Sequence, residues 1–99
     1  MRLKESYRSM IVEQVKALAG DQTQVKLFGS RVDDNSKGGD VDLLIVVPQV
    51  VSNPITLAAK ISVQIMKKMN GRKIDVLLDA PNLETLPIHR IAREQGILL

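Results

Sequence analysis

The sequence predicts an α/β (α+β) fold, a small mixed β-sheet with helices packed on one side. Three observations point to it. Apolar residues recur at helical spacing in two separate stretches, and short apolar runs bounded by turn residues read as strands. One helical stretch also joins two of those runs, which is the arrangement a parallel crossover requires.

The first helix is expected over roughly residues 4 to 19, because Tyr7, Ile11, Val15 and Leu18 share a face and Gly20 can end it in the left-handed conformation. Tyr7 on that face reads as a core residue. Val25 to Phe28 is short and apolar and runs into Gly29-Ser30, as a buried strand feeding a turn does. Val32 to Gly39 is loop, rich in Asp, Asn, Ser and Gly. Val41 to Val47 is the second strand, stopped by Pro48. Ser52 or Asn53 can cap a helix opening at Pro54, whose Ala58, Ile61, Ile65 and Met69 face one way until Asn70-Gly71. That helix leads to a third strand, Lys73 to Leu78, parallel to the second. Asp79 ends it or turns the following loop with Ala80-Pro81-Asn82. Pro87 opens a short last helix that stops before Gly96. The apolar tail Ile97-Leu98-Leu99 either closes the domain's own core or meets a partner protein or a second copy of the chain.

Composition bounds the function classes. A chain of 99 residues is expected to form one domain, 1–99, with room for a single core. With 44% hydrophobic and 25% charged residues it is globular rather than disordered, and one Phe and one Tyr leave that core aliphatic. The absence of cysteine excludes disulfides and thiolate metal sites and is compatible with a cytoplasmic location. No apolar stretch approaches membrane-spanning length, and the charged N-terminus has no signal-peptide apolar region. A net charge of +3 is a slight pull toward anionic partners. Lys67, Lys68, Arg72 and Lys73 cluster at a helix end, where the macrodipole and solubility explain them. Nucleic-acid binding is the weaker reading, since no aromatic residues interleave with these bases.

The chemistry concentrates between residues 28 and 46. Phe28-Gly29-Ser30-Arg31 is a small-residue turn, and Asp40-Val41-Asp42 opens an apolar strand. Side chains alternate along a strand, so Asp40 and Asp42 point the same way while Val41 enters the core. Two adjacent acids repel unless a cation or proton neutralises them, and their hard oxygens suit Mg²⁺. Gly29 lets the backbone approach a phosphate closely, and Ser30 adds a hydroxyl and an N–H. Arg31 either contacts phosphate or pairs with a nearby acid. No GxxxxGK[ST] sequence is present, so this is not a P-loop.

These residues resemble the nucleotidyltransferase superfamily that includes DNA polymerase β: an apolar residue, Gly, Gly or Ser, about ten residues, then Asp-apolar-acid-apolar. Phe28, Gly29, Ser30, Asp40, Val41, Asp42 and Leu43 fill that pattern. The family expects a third carboxylate on a later strand, and Asp75 lies inside Lys73-Ile74-Asp75-Val76-Leu77-Leu78. In size and layout the chain looks like the minimal nucleotidyltransferases often paired with a HEPN-domain partner as antitoxin and toxin.

The resemblance implies catalytic and metal-binding roles for Asp40, Asp42 and Asp75, with two Mg²⁺ ions for which Mn²⁺ can substitute. It implies nucleotide-binding roles for Gly29, Ser30 and Arg31. Asp75 would also assist deprotonation of the attacking hydroxyl. Larger members add a second domain that grips base or acceptor, and none is expected here. Three readings follow. The chain moves AMP from ATP, or another nucleotide, onto a hydroxyl of a partner such as a HEPN-type toxin, releasing pyrophosphate. Alternatively it is a non-catalytic antitoxin that occludes its partner, or a small-molecule transferase of the antibiotic-modifying kind. His89, the one histidine, has no companion at metal-ligand spacing and reads as structural or surface.

Overall fold

The computed structural model describes residues 3–29 and 40–99. In chain order these form α1 (Glu5–Ala19), β1 (Gln24–Phe28), β2 (Val41–Val46), α2 (Pro54–Lys68), β3 (Ile74–Asp79), α3 (Pro87–Gln95) and β4 (Ile97–Leu98). The apolar spacing read from the sequence sets each long helix's buried face. Ile11 and Val15 of α1 and Ile61 and Ile65 of α2 are fully buried, with Tyr7, Leu18 and Ala58 packed beside them. Each of the four fully buried Ile and Val side chains contributes about 1.5–3 kcal/mol by leaving water.

The helix ends follow the backbone chemistry of their residues. Gly20 stops α1 with φ +110°, although its ψ of 154° lies outside the left-handed helical region. Asn53 takes the cap position of α2 without a side-chain bond to the helix, so entry rests on the pre-set φ of Pro54. Asn70 and Gly71, both at positive φ, lead the chain out toward β3. No helix among the described residues is long and apolar enough to cross a membrane.

The sheet order is β3-β2-β1-β4, with β2 and β3 parallel and β1 antiparallel to both β2 and β4. One face carries Val25, Leu27, Val41, Leu43, Ile45, Ile74 and Leu78 into a core shared with α1 and α2. The expected one-sided packing holds for those two helices, whereas α3 lies against the opposite face. There Arg93 pairs with Asp79, Lys26 Nζ donates to the Arg93 carbonyl at 3.0 Å, and Ala92 and Leu44 are both fully buried. Helix α3 turns His89 and Ala92 inward and leaves Ile88 and Ile91 about half exposed.

The apolar tail takes the first of its two expected fates. Ile97 and Leu98 pair with Leu27 and Lys26, the Leu99 N–H donates to the Val25 carbonyl at 2.8 Å, and Leu99 packs at the core margin. Arg8 donates to the carbonyls of Leu98 and Leu99.

Among the described residues strand β3 is a sheet edge, and two of its outward carbonyls are taken up from within the chain. Ser62 Oγ donates to the Ile74 carbonyl at 2.7 Å, and His89 Nε2 donates to the Leu78 carbonyl at 2.9 Å. Covering an edge in this way blunts unwanted strand pairing. His89 Nδ1 meanwhile accepts the Leu86 N–H at 3.0 Å, so the buried ring is fully satisfied and plays the structural part expected of it. His89→Ala strands both partners and is expected to cost about 1–3 kcal/mol in denaturant titration. The exposed neighbour Arg90→Ala should stay within about 0.5 kcal/mol of wild type. Equal losses from the two would count against this role for the ring.

Candidate active site

The parallel pairing of β2 and β3 builds the site. Asp42 and Asp75 are each the second residue of their strand and are register partners, so their side chains leave the same sheet face side by side. On its other flank Asp42 faces Phe28 of β1. Asp40 stands just before β2, two residues from Asp42, and the N–H of intervening Val41 donates to the Lys73 carbonyl at 3.0 Å. Asp40, Asp42 and Asp75 are thus gathered at one end of the sheet. Ser30 and Arg31, assigned to phosphate from the sequence, lie outside the described residues.

Gly29 ends the β1 side of the site at φ +76°. A Cβ there would overlap Oδ2 of Asp42 and stand 3.0 Å from its Cγ. The turn therefore lies directly against the carboxylate, an approach open only to glycine.

Electrostatics record the crowding. The Asp42 carboxyl is raised above the usual carboxylate range, first by burial, then by the charge of Asp75 and a hydrogen bond with it, then by Asp40, with Lys73 opposing. Because the folded state holds this proton more tightly than the unfolded chain, ionised Asp42 weakens the metal-free fold at neutral pH. That penalty fades as pH falls through the raised value. Asp42→Asn is accordingly expected to stabilise the metal-free fold at pH 7 and raise its melting point, by no more than the roughly 1 kcal/mol of stability that solvent screening leaves to such charges. The advantage should vanish below the ordinary carboxylate range. Melting curves at the two pH values check this, and a loss at pH 7 would mark Asp42 as a structural residue.

Lys73 belongs to the site although the sequence reading placed it in a basic cluster at a helix end. Its Nζ stands 4.0 Å from Asp40 Oδ2 and 3.9 Å from Asp75 Oδ1. The signal was present in strand alternation, which puts residues 73 and 75 on one face. Among the described residues no group of three acidic, imidazole or thiol side chains stands close enough to hold a metal ion by itself. The donor set nevertheless fits a hard divalent cation: carboxylate oxygens from two neighbouring strands, with mutual repulsion that a cation would relieve.

A concavity of about 310 Å³ lies at the other end of β2 and β3 among Val46, Val47, Asp79, Ala80, Thr85 and Arg93. Its buried Asp79 is paired with Arg93, so the two charges answer each other. Asn82, which the sequence placed in the adjoining loop, clamps that loop to Val51 by accepting its N–H and donating to its carbonyl.

A family model described as a nucleotidyltransferase domain matches residues 8–98. The chain belongs to that family. No curated protein matches it. As a nucleotidyltransferase domain it takes a nucleotide as substrate and transfers it, and such domains generally use divalent metal ions. The three helices and four-stranded mixed sheet of the described residues agree with the nucleotidyltransferase fold.

Proposed function

We propose that residues 1–99 form one nucleotidyltransferase domain that moves AMP from ATP onto a hydroxyl of a partner protein, a HEPN-type toxin being the first candidate. The observation that carries the site is the in-register pairing of Asp42 with Asp75 on parallel strands, with Gly29 set against Asp42. Asp40 and Asp42 would hold the metal that accompanies the triphosphate, and Asp42 and Asp75 the metal at the acceptor. When bound, two Mg²⁺ ions would neutralise charge on the entering and leaving oxygens of an in-line displacement.

The chain's own residues do the rest. Gly29 keeps the turn low enough for the triphosphate to approach, and Ser30 and Arg31 supply donors to its oxygens. Asp75 takes the proton of the acceptor hydroxyl. The acceptor oxygen then bonds to the α-phosphorus as the bond to the β-phosphate oxygen breaks, and pyrophosphate leaves. Asp42, between Asp75 and Gly29, orients both ends of the reaction.

A second reading, a binding module that works by occlusion, draws on one observation: Leu86, Ile88 and Ile91 around α3 expose 45%, 47% and 48% of their surface. Incubation with labelled ATP and Mg²⁺, with and without the protein encoded beside this one, followed by mass analysis of both chains, decides between them. Nucleotide added to the partner supports transfer, whereas a tight but unmodified complex supports occlusion.

A further inference from the structure

We propose that Lys73 is a tethered counter-ion of the acidic site, one that a divalent cation must displace, so that this side chain sets the site's metal affinity. The inference rests on the nucleotidyl-transfer reading and names a positioning residue within it. Lys73 bridges carboxylates from two different elements, Asp40 before β2 and Asp75 on β3. Its root is held by the sheet, because its own carbonyl accepts the N–H of Val41, the residue between Asp40 and Asp42. That bond fixes the backbone from which the side chain reaches toward both carboxylates.

The oxygens that Lys73 approaches, Asp40 Oδ2 and Asp75 Oδ1, are carboxylate oxygens of the kind a divalent ion takes as ligands. An ammonium carries one charge and binds through hydrogens, whereas the divalent ion carries two and takes oxygens directly. Both cannot hold the same oxygens. In the metal-free protein Lys73 offsets the repulsion that raises the Asp42 carboxyl, a part that a bound divalent ion would take over. The side chains of Lys73, Asp40 and Asp75 are 68%, 53% and 48% exposed, so solvent screening keeps the effect moderate.

The test is calorimetric titration of the full chain with Mn²⁺ or Mg²⁺ alone, without nucleotide, paired with melting curves. Lys73→Met and Lys73→Gln are expected to bind the divalent ion about three- to tenfold more tightly than wild type, melt lower without it and gain more on its addition. Lys73→Arg, which keeps the charge, should remain near wild type. Lys68→Met, which removes the same charge from the last turn of α2, should change affinity less than about twofold. Unchanged or weaker divalent affinity in the Lys73 variants overturns the counter-ion role alone, as does equal tightening in Lys68→Met. Failure of wild type and every variant to bind a divalent ion overturns the role together with the site reading beneath it.

Discussion

Asp75→Asn is expected to leave the affinity for Mg-ATP within a few fold of wild type while lowering transfer by about 10²–10⁴-fold, the range set by loss of a positioned general base. The reasoning comes from where Asp75 sits. It reaches the site from β3, across the strand pairing from Asp42, and is farther in the sheet order than Asp42 from β1 and the Gly29 turn that is to receive the triphosphate. The triphosphate-borne metal then keeps Asp40 and Asp42, and what is lost acts on the hydroxyl. An interaction strongest in the transition state shows in the rate of the chemical step rather than in binding. Single-turnover transfer to the identified acceptor, with ATP affinity measured in parallel, reads both quantities. Unchanged transfer would remove Asp75 from the site, and an inactive wild type holding an unmodified partner would favour occlusion.

The parts of this molecule that the sequence disclosed are those governed by local chemistry. Pro54, Gly71 and Pro87 punctuate the chain at fixed backbone preferences, and the helical stripes of α1 and α2 are long enough for periodicity to name the buried side. The pairing of Asp42 with Asp75 was also within reach, because a strand, a helix and a strand in succession imply a parallel neighbour. The bounds of helix α3 were legible, but the sheet face it packs on was not, because its inward side carries His89 and Ala92 while two isoleucines stay about half exposed, which reverses the usual apolar signal over only nine residues. The tail could not be assigned from sequence, since a two-residue strand is defined by the Lys26 and Leu27 it meets rather than by any pattern of its own. Lys73 was concealed by its neighbours: beside Lys67, Lys68 and Arg72 it looked like one more cation at a helix end, and its Nζ distances to Asp40 and Asp75 show which acids it serves.

Gly29→Ala should be the most damaging small substitution in the site, and Gly71 provides its control. Both glycines have φ +76°, so alanine at either position incurs the same left-handed strain, about 1–2 kcal/mol. Their surroundings differ. A Cβ at Gly71 meets nothing within 4 Å, whereas one at Gly29 runs into the Asp42 carboxylate. Gly71→Ala is thus expected to lose stability by the strain alone and to bind Mg-ATP as wild type does. Gly29→Ala carries the same strain and must also push aside either the turn or Asp42, so it should lose Mg-ATP affinity and nearly all transfer. Denaturant titration of both variants isolates the shared backbone cost, and ATP titration with Mg²⁺ isolates the rest. If the two substitutions proved equal in both measurements, the contact between the Gly29 turn and Asp42 would have no functional consequence, and the triphosphate would have to be received elsewhere.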